Sequence, residues 1–277
     1  MPSNVSRTPI TKRAVAPLKR PTSRSSLTRT TPKTLAFDIG GTGLKASLVT
    51  TTGDLIGDKE RILTPYPLTP ELLIEKLGEL KSKLPAAQRI SAGFPGMVRD
   101  GIILTAPHFV LEKGPGVKPE RPSKRLLLAW DHFDLRTQIE TAFRLKTLVA
   151  NDADIAGAGV IEGKGLELVI TLGTGFGTGL FLNGKLLPHL EIAHMPIKGK
   201  LTFDDYLGDH SRKELGNREW SKRVIHGINL LTTLFSFDHL YIGGGNSRRL
   251  KIETDDKTTI VGNEAGLIGG VKLWERV

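Results

Sequence analysis

A strand, a glycine turn and a second strand occur twice in this chain, as LAFDIGGTGLKASLV at 35–49 and as LVITLGTGFGTGLFL at 168–182. In both, apolar runs flank a tight turn, so the unit is a β-hairpin and not the strand-to-helix turn of a dinucleotide site. The two segments are not strict repeats in sequence, but the architecture is duplicated. Duplication predicts two similar α/β lobes with a cleft between them, the usual place for a ligand.

The rest of the chain reads as the connections such a fold needs. GDLIGDKERILTP is a third strand after the Gly53-Asp54 turn. TPELLIEKLGELKSKL is a helix with Thr69 as its N-cap, Pro70 as its first residue and Leu72, Leu73, Leu77 and Leu80 as its apolar stripe. RISAGFPGMV is a strand running into a Pro-Gly turn. Residues 105–130, with four prolines and a basic cluster, read as a loop. DLRTQIETAFRLK is a helix, and TLVAND is a strand that ends on Asn151 and Asp152. After the second hairpin comes a turn at Asn183-Gly184. RKELGNREWSKRVIHGINLLTTLFS is largely helical, HLYIGGGNSRRL is a strand entering glycines, and NEAGLIGGVKLWERV is a closing helix.

Charge narrows the function only once it is located. Of the net +10, eight positive charges lie in residues 1–33, which hold no acid, so the body carries 31 basic against 29 acidic residues. A basic body surface for nucleic acid is therefore not predicted. The tail at 1–33 is rich in Ser, Thr and Pro and reads as disordered. It is a solvated extension, an anion-binding arm or a transit-like address. No run approaches the roughly 18 apolar residues of a membrane helix. The chain has no cysteine, which excludes disulfides, thiol catalysis and cysteine-ligated metal and fits the cytoplasm.

The glycines carry the chemistry. Without a Cβ, successive backbone N–H groups approach an anion closely and form a positive concavity. Gly40 and Gly41 with Thr42 make one such turn, and Gly173, Thr174, Gly175 and Gly177 make another, near the Thr178 hydroxyl. Gly243 and Gly244 begin a third in IGGGNSR. Two such turns across a cleft suit a chain of phosphates, while plain tight hairpins are the simpler alternative. Gly40, Gly41, Thr42, Gly173, Thr174, Gly175, Gly177, Gly243 and Gly244, nine in all, make up the candidate phosphate-binding set with Lys45. A carboxylate beside phosphates needs a cation, so Asp38 reads as a Mg²⁺ partner, directly or through water.

DIGGTGLK, TPYPLTPE, FPGMVRDGIILTAP, NDAD, ITLGTGFGTGLFLNGKLLPHLE, YIGGGNSRR and NEAGLIGG, in this order over about residues 34–277, together resemble the ROK sugar-kinase family. The nearest branch is the polyphosphate glucokinases. The resemblance implies an actin-like ATPase (ribonuclease H-like) fold of two lobes around a central cleft. The first lobe is 34–148, completed by the closing helix 263–277, and the second is 149–262. It implies transfer of a phosphoryl group from polyphosphate or ATP to the 6-hydroxyl of glucose or a related hexose. Asp152 falls at the catalytic base, and its neighbour Asp154 reads as a helix N-cap or first-turn acid. Asn151, Glu191 and His194 fall on the sugar, with Ala193 where the family has glycine. His108 stands where the family has a sugar-contacting Asn. The family's zinc is not expected, because His194 has no cysteine beside it. Homodimers occur in the family. In the loop at 109–129, Lys113, Lys118, Arg121, Lys124 and Arg125 are a polyanion contact or a solvated surface. An ATP-only hexokinase and a non-catalytic ROK sugar-binding protein are the alternatives. A ROK repressor is not expected, since the segment before Leu35 is Pro-rich and has no helix-turn-helix period.

Overall fold

In the computed structural model, residues 31–117, 121–262 and 265–277 are described. The first hairpin joins β1 (Thr34–Ile39) to β2 (Leu44–Val49), and β3 (Leu55–Ile62) extends it antiparallel. Helix α1 (Pro70–Ser82) crosses over to β4 (Arg89–Phe94), which lies parallel to β1. The short strands β5 (Val98–Arg99) and β6 (Ile102–Ile103) pair next, and β7 (Phe133–Asp134) joins them after α2 (Lys124–Trp130). Helix α3 (Leu135–Phe143) leads to β8 (Thr147–Asn151), parallel to β4. Then α4 (Asp152–Ala158) passes to the second hairpin, β9 (Leu166–Leu172) and β10 (Phe176–Leu182), with β11 (Lys185–Leu186) at its edge. The hairpin β12 (Pro196–Lys198) and β13 (Leu201–Thr202) precedes α5 (Phe203–Leu207) and α6 (Asp209–Phe235). Strands β14 (His239–Gly243) and β15 (Thr258–Ile260) and helix α7 (Ala265–Arg276) end the chain.

The sheet orders are β3-β2-β1-β4-β8 and β11-β10-β9-β14-β15. Each is an antiparallel meander whose innermost strand is followed by two parallel ones, so the duplicated hairpin seeds two sheets of one plan. Parallel neighbours need a crossover, which α1, α3 and α6 supply. Period two assigns the faces of β1. Phe37 meets Phe143 of α3 at 6.2 Å between ring centroids, while Ala36 faces Gly270 of α7. Helix α7 packs on β1, β4 and α4, and α4 packs on β9 and β10, which stacks the layers as sheet, α7, α4, sheet. The two helices cross so closely that a Cβ at Gly269 would run into the Ile155 carbonyl. Trp274 of α7 donates to Ser91 Oγ of β4 at 2.9 Å, and Ser91 donates to the Gly270 carbonyl. Thr69 caps α1 through the Leu72 N–H at 3.3 Å, and Leu73, Leu77 and Leu80 are fully buried. Such a cap stabilises a helix by about 1 kcal/mol.

Three features differ from the sequence reading. The segment 105–130 is not all loop: α2 occupies its end, and Trp130, 2% exposed, stacks on Phe94 and Phe109 at 5.5 Å each. Seven residues behind four prolines are too few to show a helical period. Asp152 does not end a strand but begins α4. Lys33, placed in the tail by its composition, is held through its backbone by Gln88. The disorder expected of residues 1–30, Lys118, and the first two residues of the closing helix lie outside the described residues. Among the described residues no helix is long and apolar enough to cross a membrane.

Candidate active site

A cavity of about 370 Å³ opens between the sheets. Asp38 and Lys45 reach it from the first hairpin, Asp152 from α4, Thr171 from β9, and Gly243 and Gly244 from the end of β14. The register of β1 and β2 sets Asp38 opposite Lys45, and their side chains pair at 2.7 Å. Both are half-exposed, so the pair contributes at most about 1 kcal/mol and is readily opened by a ligand. Magnesium is held through one or two carboxylates plus phosphate oxygens and water. Asp38, alone and half-open at the cavity, fits that donor set.

The glycine turns are built for clearance. In the first, the Gly40 N–H donates to the Gly43 carbonyl at 3.1 Å, and among the described residues the amides of Gly41 and Thr42 have no hydrogen-bond partner. A Cβ on Gly41 would press on the His108 ring at 3.1 Å, so His108 lies over this turn. Thr64 and Tyr66 hold the Gly40 and Gly41 carbonyls at 2.6 and 2.7 Å. In the second turn, the Gly173 N–H donates to the Gly175 carbonyl at 3.0 Å, and Asp204 accepts from the Phe176 N–H at 2.7 Å. Among the described residues the amides of Thr174 and Gly175 have no hydrogen-bond partner. Gly177 lies inside β10, where the missing Cβ makes room for Ala153. The third turn docks on the second: Gly244, at φ +87°, lies on the Leu172 backbone, and Asn246 donates to the Gly173 carbonyl at 2.9 Å.

Strand β8 delivers Asn151 and Asp152 to the cleft. Asn151 is buried, and its side chain already works inside the protein. Its Oδ1 caps α4 by accepting from the Ala153 N–H at 2.8 Å, and its Nδ2 donates to the Gly96 carbonyl at 3.0 Å. One lone pair and one N–H remain for a sugar. Asp152 faces the open cavity, yet protein crowds it on every other side. That desolvation raises its carboxyl from 3.8 to about 6, against the Ala153 N–H and with help from the charges of Asp38, Asp154 and Glu191. Water reaches the group from the cleft, but bulk solvent does not surround it, so exposure and a raised pKa coexist.

Glu191 leads the short 3₁₀ turn Ile192–His194 and, by its effect on Asp152, stands within electrostatic reach of it. His194 is exposed and stands within electrostatic reach of Asp205 of α5. His189 is the residue that sequence reasoning missed. Buried among carboxylates, it sets Nδ1 3.0 Å from Asp154 Oδ2 and Nε2 3.6 Å from Glu191 Oε1. The one available signal was HLE, because two residues of an extended segment share a side. Asp154, 2% exposed, is therefore more than a first-turn acid. Its burial pushes its own carboxyl up. Burial alone would lower the imidazole, but Asp154 and Glu191 outweigh it and bring His189 to about 9.

A profile described as the ROK family matches residues 34–198. The polyphosphate glucokinase of Mycobacterium leprae (strain TN) is 28% identical over 273 residues, covering 92% of this chain and 79% of that protein. Among solved structures, the inorganic polyphosphate/ATP-glucomannokinase from Arthrobacter sp. strain KM superposes with a TM-score of 0.70 at 29% identity, over 87% of this chain and 97% of that one. A ROK family glucokinase from Streptomyces griseus, solved with glucose and AMPPNP, superposes at 0.64 and 18% identity, over 87% and 98%.

Proposed function

The chain belongs to the ROK family and has the actin-like ATPase fold of its solved relatives, and from that premise we propose that it is a sugar kinase. It moves a phosphoryl group from polyphosphate or ATP to the 6-hydroxyl of glucose or a related hexose. The observation that carries this reading is Asp152, a carboxylate open to the cavity, raised to about 6, and set beside the Asp38–Lys45 end of the first glycine turn. The lobes are 34–148 with the closing helix, and 149–262.

In the reaction the hexose oxygen forms a bond to phosphorus as the bond to the donor's leaving oxygen breaks. Asp152 accepts the hydroxyl proton on its carboxylate. A base near 6 is ionised at neutral pH and still holds a proton better than an ordinary aspartate. The untied amides of Gly41, Thr42, Thr174 and Gly175 and the ammonium of Lys45 stabilise phosphate oxygens, and Gly243 and Gly244 close the far wall. Asp38 would hold magnesium, which when bound would supply positive charge to those oxygens. Asn151, Glu191 and His108 orient the sugar. His194 is the further sugar contact that the family resemblance implies. Phosphoryl transfer suits a cytoplasmic chain without cysteine. The polyphosphate donor is supported by the M. leprae and Arthrobacter relatives, each known by that donor.

The test is a donor-by-sugar matrix on purified protein: ATP and polyphosphate against glucose, mannose and their N-acetyl derivatives. Product from polyphosphate and glucose is expected, with ATP as a second donor. Product from ATP alone assigns an ATP-dependent ROK hexokinase, and hexose binding with no product from any donor assigns a binding protein.

A further inference from the structure

Next to Asp152 come three titratable side chains from three segments: Asp154 on α4 and His189 after β11, both buried, and the partly buried Glu191 at the head of the 3₁₀ turn. The imidazole is in the middle, 7% exposed, with one ring nitrogen toward each carboxylate, at 3.0 and 3.6 Å. Asp154 and Glu191 are the charged groups that act on it. The site is built around this contact. Gly179 of β10 leaves room for Asp154, since a Cβ there would come 3.2 Å from its Oδ1. Thr178 of the same strand donates to the Leu190 carbonyl at 3.1 Å and so pins the segment that carries His189 and Glu191. Among the described residues neither Asp154 Oδ1 nor His189 Nδ1 makes a well-directed hydrogen bond, so what offsets the buried carboxylate is the charge of the imidazole 3.0 Å away.

A buried histidine often satisfies its nitrogens on nearby backbone. This one instead ties α4, whose first residue is Asp152, to the carboxylate placed on the sugar. We propose that His189 is a positioning residue: clamped by Asp154, its imidazole fixes the carboxylate of Glu191 for the hexose and thereby sets sugar affinity without touching the donor. The inference rests on the sugar-kinase reading and names the residue that prepares its sugar site.

Two substitutions divide the ring between them. In His189→Asn the amide reproduces the nitrogen that faces Asp154, and in His189→Gln it reaches the one that faces Glu191. Loss of a charge-assisted contact predicts that His189→Asn raises the hexose KM by about tenfold or more. His189→Gln should stay within about threefold of wild type, and the donor KM should be unchanged in both. Equal loss in the two variants, a changed donor KM, or a wild-type hexose KM in His189→Asn overturns the inference. ¹⁵N NMR of the unaltered protein gives a test independent of any variant's folding. A buried imidazole with both nitrogens protonated at about pH 7.5 is expected, and a neutral one overturns the proposal. A wild-type chain that neither binds nor phosphorylates a hexose brings down the kinase reading and this inference with it. An active wild type with an indifferent His189→Asn brings down this inference alone.

Discussion

Replacing Asp152 by Asn should make the protein more stable and far less active, and the pH dependence of the stability gain identifies its cause. The folded-state pKa of Asp152 is raised, from 3.8 to about 6. Such a group penalises the folded state when ionised: no penalty exists below the unfolded value, and it grows as pH rises through about 6. For a fully enclosed carboxyl a displacement of this size corresponds to about 3 kcal/mol. Asp152 opens to the cleft, where water screens it, so about 1 kcal/mol is the realistic figure. The variant removes a charge without breaking the helix cap, because the Ala153 N–H is also held by Asn151. Urea titrations should therefore show Asp152→Asn more stable than wild type by about 1 kcal/mol at pH 7 and equal to it near pH 4. Turnover should fall on the order of 10²–10⁴-fold, with hexose binding retained. Near-wild-type turnover would refute the assignment of the base and turn attention to Asp154. A variant less stable than wild type at pH 7 would refute the electrostatic account.

Wild-type kcat/KM should fall about tenfold from pH 7 to pH 5, since a base near 6 is then mostly protonated; a flat profile over that range excludes Asp152 as the titrating base. His189 is raised to about 9 in the folded chain, so its stabilisation is full below about 6.5 and is lost as pH rises through 9; denaturation midpoints at pH 6.5 and 9 should converge for His189→Gln and diverge for wild type. Raising salt from about 50 to 200 mM should increase the polyphosphate KM several-fold more than that of ATP, because a long polyanion meets lysines and arginines beyond the cleft and releases their counterions. Elemental analysis of untagged protein should find no stoichiometric zinc; about one zinc per chain contradicts the reasoning from the missing thiolates.

The architecture was legible because its signals are local and repeated. Leu73, Leu77 and Leu80 recur at helical spacing, Thr69 and Pro70 mark a helix start, and two glycine turns between apolar runs give two hairpins. The layering of α7 on α4 was not, because it depends on Gly269 meeting a carbonyl 114 positions earlier in the chain, at Ile155. Helix α2 escaped for a different reason. Its anchor, Trp130, is secured by a hydrogen bond to the Leu68 carbonyl at 3.0 Å and by rings from β4 and the following loop, none of them its neighbours in sequence.

The site divides in the same way. Asp38, Lys45 and Asp152 were visible as motif residues, and the fold gathers them at one cavity. What the motifs did not reveal is which polar atoms the protein keeps for itself. Asn151 spends half of its amide on α4 and Gly96, and Asp204 takes an amide of the second turn. Each is a competition between a ligand and the backbone for the same hydrogen bond, and spacing along a chain does not decide such contests. Burial does. Asp154 sits in the first turn of α4, where a carboxylate ordinarily meets water and the helix dipole. Packed instead against Gly179, it requires a cation, and the nearest one belongs to His189. The glycine that lets α4 approach the sheet therefore also dictates the histidine, and through it the place of Glu191.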